Sequence, residues 1–232
     1  MTPFALYLES SRRQLKTMVH VPHLLGCTAQ GPSVEAALFQ IPTAIRRYLQ
    51  FLRRHGEPVR PKANFSTRLV EHVILGGRFA GSGSPAVVFT FDRPRLTAKE
   101  VEFYVRRLQW QRDDLVALVE SLTPRQITAK PRAKGRSIEE IVEHILEAEA
   151  FYQRSALGKR ENPAPRRTRA SSLVERLRRA RQDTMERIQS LTAVERSQSV
   201  AYRGLTWTPR KMLRRILEHE WEHLVKLPAR VW

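Results

Sequence analysis

The sequence predicts an α+β protein in two parts: a small α/β domain over residues 1–94, then a four-helix bundle over residues 95–232. Three observations carry this. Strand-like and helical patterns are mixed before residue 94, only helical patterns follow residue 97, and the helical part is punctuated by repeated N-terminal capping signatures.

In the first part, residues 3–9 and 15–21 are short apolar runs that read as strands. The stretch from Gly26 to Pro32 is rich in turn residues and reads as a turn. Ser33 then caps a helix whose apolar positions, Ala37, Leu38, Ile41, Ala44, Ile45, Tyr48, Leu49 and Leu52, recur every three or four residues along one face. Gly56 ends it. Residues 64–75 and 86–92 read as further strands, separated by the turn from Gly81 to Ser84.

In the second part, Thr97 with Glu100, Ser137 with Glu140 and Ser172 with Glu175 match the capping box, and Thr208-Pro209 places proline at the favoured first helical position. The implied helices are 98–121, 138–157, 173–190 and 209–226. The connections carry Pro163, Pro165 and two more box pairs, Thr123 with Gln126 and Thr192 with Glu195.

With 41% hydrophobic residues the chain has the material for a core, which excludes wholesale disorder. The net charge of +18 invites a nucleic-acid reading. That excess is 33 Arg and 8 Lys against 23 acids, spread as +8 before residue 97 and +10 after it, with no basic block and no base-reading motif. Nucleic acid therefore stays open as a weakly supported partner. The arginine run from Arg176 to Arg181 reads as a solvated helix face. A single cysteine, Cys27, excludes an intramolecular disulfide and points to a reducing compartment. No signal peptide and no bilayer-length apolar run is visible, so the expectation is a soluble cytoplasmic protein without a membrane partner.

The chemistry rests on histidine. His219 and His223 are four residues apart, about 400° of helical rotation, so both rings leave one face. That face continues the apolar stripe of Met212, Ile216 and Leu227, and His144 lies on a second such stripe with Ile141, Ala148 and Phe151. Three inward imidazoles need partners away from water, and a divalent metal satisfies one nitrogen on each. Glu140, Glu147 or Glu220 are candidate acceptors for the other ring N–H. Three protein ligands leave a coordination position open for water or substrate. Residues 219–223 also spell H-E-x-x-H, but no His, Asp or Glu follows His223 to complete a zincin. His20 and His23 read as surface or turn residues. Trp207, Trp221, Tyr152 and Phe151 are candidates for lining a pocket or packing the core.

Two stretches resemble known families. Gly135-Arg136-Ser137-Ile138-Glu139-Glu140-Ile141-Val142-Glu143-His144-Ile145, with Glu149 and Tyr152, and Trp207-Thr208-Pro209 leading into His219-Glu220-Trp221-Glu222-His223, resemble the DinB-like superfamily, which includes YfiT-like metal-dependent hydrolases. The resemblance implies an up-down-down-up bundle with a divalent metal (Zn, Ni, Fe or Mn) on His144, His219 and His223. Hydrolysis or thiol-dependent S-transfer of an unknown small molecule is the implied chemistry, and whether the site is catalytic stays open. Val21-Pro22, Leu25 through Gly31, Ser33 through Ala37 and Gly56-Glu57-Pro58 resemble the HicB-type antitoxin domain. This implies a small βαβ-containing fold and keeps open a non-enzymatic reading, in which the domain binds a partner or forms a homodimer.

Overall fold

The computed structural model describes residues 3–13, 15–77, 79–131, 135–158 and 172–227; Pro163 and Pro165 lie outside them. The protein is mixed α+β, and the chain divides into two compact units, Met1–Pro94 and Arg95–Trp232.

The first unit is a four-stranded sheet, ordered β3-β2-β1-β4, with one long helix. β1 (Phe4–Ser11), β2 (Thr17–His20) and β3 (Thr28–Gly31) form an antiparallel meander, and β4 (Thr67–Leu75) pairs with β1 in parallel. Between β3 and β4 runs α1 (Val34–Arg54), whose cap Ser33 accepts the Ala36 N–H at 3.1 Å. α1 packs on β3 and β2, and its buried face includes Ala37, Ile41, Ile45, Tyr48 and Leu52.

Three expectations change here. Residues 28–31 are a strand. Gly31 is needed there because a Cβ would stand 2.5 Å from the Ala37 backbone nitrogen, so only glycine lets β3 approach α1 this closely. Residues 86–92 are not a strand. They form a turn and a short 3-10 helix at Thr90–Asp92 and cover the sheet face that carries Tyr7 and Glu9. Phe89 and Phe91 meet the Tyr7 ring edge-on at 5.5 and 4.6 Å. His20 is fully buried, because β2 is central and covered on both faces. Its ring meets Phe89 at 5.0 Å.

Glu9, also fully buried, binds the loop that covers it. Its carboxylate accepts the backbone N–H of Gly83 at 2.5 Å and of Ser84 at 2.9 Å. Glu9→Ala is expected to cost about 1–3 kcal/mol through these stranded donors. It should also speed amide exchange at Gly83 and Ser84; unchanged protection would refute the latch.

The second unit is a four-helix bundle of α2 (Ala98–Glu120), α4 (Ile138–Leu157), α5 (Leu173–Gln189) and α6 (Pro209–Leu224), with a short α3 (Pro124–Thr128). All three capping boxes expected for α2, α4 and α5 are formed, as is the Thr123–Gln126 box of α3. α6 starts at its Thr208-Pro209 cap. Before it, the hairpin β5 (Val200–Tyr202) and β6 (Leu205–Trp207) fills a connection in which the sequence showed no strand.

Side-chain pairs fix the helix directions. Glu100–Arg210 and Arg112–Glu220 set α2 parallel to α6, while Glu143–Arg176 and Gln153–Thr184 set α4 parallel to α5. Tyr152–Arg215 and His144–His219 make α4 antiparallel to α6. The order is therefore up, down, down, up.

In the bundle core one charge from each of the four helices meets the others. Arg112 of α2 donates from Nε to Glu220 Oε1 of α6 at 2.8 Å and from Nη2 to Glu149 Oε2 of α4 at 2.6 Å. Its Nη1 donates to the Leu177 carbonyl at 2.5 Å. Arg181 of α5 bonds Glu220 and lies 3.4 Å from Glu149, whose other oxygen accepts the Thr184 hydroxyl at 2.5 Å. Burial pushes the Glu149 carboxyl up, but the Arg181 and Arg112 guanidiniums outweigh it and hold it below its ordinary value. The Arg176–Arg181 run is thus not one solvated face: Arg178 and Arg179 are exposed, whereas Arg176 pairs with Glu143 and Arg181 enters the core.

Candidate metal centre

α4 carries His144 about two turns past its cap Ser137, and α6 carries His219 and His223 in its last turns. The antiparallel packing of the two helices brings these positions level. One ligand-capable nitrogen from each ring falls within 4.8 Å of the others. His144 Nε2 and His219 Nε2 are 3.1 Å apart. The ring centroids lie 4.7 Å (His219–His223), 4.8 Å (His144–His219) and 5.4 Å (His144–His223) apart, all edge-to-face. All three histidines are half-buried.

His144 and His219 favour the neutral form. Burial, then the charges or rings of His223, Arg215, His144 and Arg136, set His219 well below the ordinary imidazole value. Burial and Arg136 lower His144, and Glu147 partly offsets them. Metal uptake requires neutral imidazole. The His144 and His219 nitrogens are therefore expected to stay available through the ordinary imidazole pKa of about 6.5, with zinc affinity falling less than tenfold between about pH 7.5 and pH 6.5. Zinc titration calorimetry across that range checks this; a tenfold loss between the two pH values would contradict it. The stability sign agrees. The unfolded chain protonates His144 and His219 at about pH 6.5 while the fold resists, so their contribution is complete above that pH and is lost as pH falls toward the lowered native value.

The surroundings sort the expected acceptors. Glu140 belongs to the helix cap, accepting the Ser137 N–H at 2.9 Å and pairing with Lys130 at 2.6 Å. Glu147 acts on His144 through its charge. Glu220 belongs to the core ion pairs: one residue past His219 it is rotated about 100° away, so it does not supply the general base of a zincin. On the aromatic side, Tyr152 meets the His219 ring at 6.1 Å and Trp207 at 5.7 Å, and Phe151 meets Trp207 at 5.8 Å. Trp207 is fully buried with Lys211 Nζ 4.3 Å from its ring, so it packs rather than lines an opening. Cys27 is buried.

Arg215 is a residue that the histidine pattern did not single out. It stands one turn before His219 on the same face of α6, a spacing visible in the sequence once His219 is taken as a site residue.

Taken together, the helix order and three convergent imidazoles on two of its helices define a four-helix-bundle protein with a candidate metal centre. The chain belongs to the DinB superfamily, which it matches over residues 107–225. Over 47 residues it is also 43% identical to the UPF0150 protein Ta0767 of Thermoplasma acidophilum, a stretch covering 20% of this chain and 67% of that protein. No solved structure matches the chain significantly. Among the described residues, no helix is long and apolar enough to cross a membrane.

Proposed function

We propose that His144, His219 and His223 hold a divalent metal, and that the second unit is a metal-dependent hydrolase or thiol-dependent transferase acting on a small molecule. The observation that carries this is the convergence of three ring nitrogens within 4.8 Å on a half-buried face. The donor set fits the group. Two imidazole nitrogens bound at about 2.0–2.1 Å to a tetrahedral ion lie about 3.3 Å apart, close to the 3.1 Å between His144 and His219.

A bound divalent ion supplies Lewis-acid character beside an open position, and this donor set suits Zn, Ni, Fe or Mn. The chain's own residues do the rest. The edge-to-face rings hold one another's orientation, burial keeps His144 and His219 toward the neutral form, and Tyr152 packs between His219 and Arg215. The test is elemental analysis of the purified protein with His144→Ala beside it. One equivalent of metal that the substitution abolishes supports the reading; no metal, and no effect of the substitution, ends it.

A second reading is supported by the likeness to the UPF0150 protein. It makes the first unit a HicB-like binding module that engages a partner, possessing no chemistry of its own. It predicts partner or nucleic-acid retention at low salt that survives replacement of all three histidines.

A further inference from the structure

The sheet of the first unit has one long open edge. β4 is nine residues, about 30 Å of extended chain, and among the described residues it pairs with β1 alone. The opposite edge strand, β3, has four residues and packs against α1. The outer N–H and C=O groups of β4 are therefore a template for another strand. The devices that usually blunt such an edge are sparse. β4 has no lysine and no proline, and its ionised side chains are Arg68 and Glu71. Glu71 turns to Thr90, accepting its N–H at 2.8 Å and its hydroxyl at 2.7 Å. A bulge at Val70, where the register with β1 shifts, leaves Glu71 to Leu75 regular.

The same strand is apolar on its open side. Among the described residues seven large hydrophobic side chains are exposed, and three of them, Leu69, Val70 and Ile74, belong to β4, at 50%, 43% and 51%. Leu69 and Ile74 stand beside Leu6 and Ser10 of β1, on the face opposite the one that carries Tyr7 and Glu9. Exposed apolar side chains and unpaired backbone on one strand mark an interaction edge.

A second copy of this chain fits that edge. A copy turned through 180° offers the same nine residues, antiparallel and of equal length, and each apolar strip lies along the other. Charge separates this occupant from a polyanion. The first unit carries 12 Lys and Arg against 5 acids, yet β4 has one of each sign. A polyanion would be drawn to the cationic surface rather than to a neutral, apolar strip.

We infer that two copies of this chain pair antiparallel through β4, joining two four-stranded sheets into one around a two-fold axis. This gives the binding-module reading of the first unit its partner, and it is independent of the metal site: replacing all three histidines should leave the association unchanged. Each copy carries a net charge of +18, so association should strengthen as salt screens the repulsion, the reverse of polyanion binding.

Sedimentation velocity on the full chain reads mass against concentration and salt. The parent should move from 26.9 kDa toward twice that mass as concentration rises, more readily at about 0.5 M than at about 0.05 M salt. Amide exchange over residues 67–75 should slow as the dimer fills. Leu69→Lys/Ile74→Lys should weaken association about tenfold or more. Phe39→Lys/Val194→Lys adds the same charge at exposed apolar positions off β4, and should associate like the parent.

A parent that stays monomeric to about 0.5 mM at high salt overturns the inference. If that monomer still retains nucleic acid at low salt, the first unit is a binding module for a polyanion, and only the dimer has failed. Association that weakens with salt also overturns it, because a polyanion then bridges the chains. So does a dimer that the β4 lysines leave intact, or one that both double variants lose alike.

Discussion

Arg112→Ala is expected to destabilise the bundle by about 3–5 kcal/mol, because it removes one partner of a buried ion-pair group and leaves the other charges without compensation. Arg112 is 1% exposed and donates to two carboxylates and a backbone carbonyl on three different helices. Its loss leaves Glu149 and Glu220, both buried, facing the single guanidinium of Arg181. Scanning calorimetry should show the drop as roughly 2–4 °C per kcal/mol for a chain of this size. Replacing Arg112, Glu149, Arg181 and Glu220 together by apolar residues of similar volume should cost far less than the single change. A single-variant loss below about 1 kcal/mol would mean that these charges are solvated rather than locked in the core.

Metal should raise the unfolding temperature of the parent protein and leave the His144→Ala/His219→Ala/His223→Ala variant unmoved. At a free concentration one hundred times its dissociation constant, an ion that binds only the folded state adds about 2.7 kcal/mol. Scans with zinc and with chelator, paired with stoichiometry, read the effect. An equal shift in the triple variant would place the ion elsewhere, and no shift in either would remove the metal from the functional reading.

The helical half was legible because its signals are local. Ser137 with Glu140, or Thr208 with Pro209, marks a helix start within one turn, and the spacing of His219 and His223 fixes their common face. The α5 arginines were not legible. Arg178 and Arg181 look alike in sequence, and what buries Arg181 is the pair Glu149 and Glu220, more than thirty residues away on two other helices. Residues 28–31 and 86–92 failed for a related reason. The first has turn composition but is held extended between β2 and α1, and the second has strand composition but caps a sheet face. His20 belongs with them: its burial comes from being on a central strand, which no local pattern reports.

Residues 219 and 220 tie the two halves of the bundle's chemistry together. Their side chains leave α6 about 100° apart, one toward the imidazole cluster and the other into the ion pairs with Arg112 and Arg181. A rotation of α6 large enough to re-aim His219 would pull Glu220 off both guanidiniums. α4 is pinned likewise, since Glu149 is anchored by the same two arginines only five residues beyond His144. The spacing of the three rings is therefore inherited from folding. An ion held by the three rings would meet a preorganised constellation, adjusting through side-chain torsions rather than through helix motion.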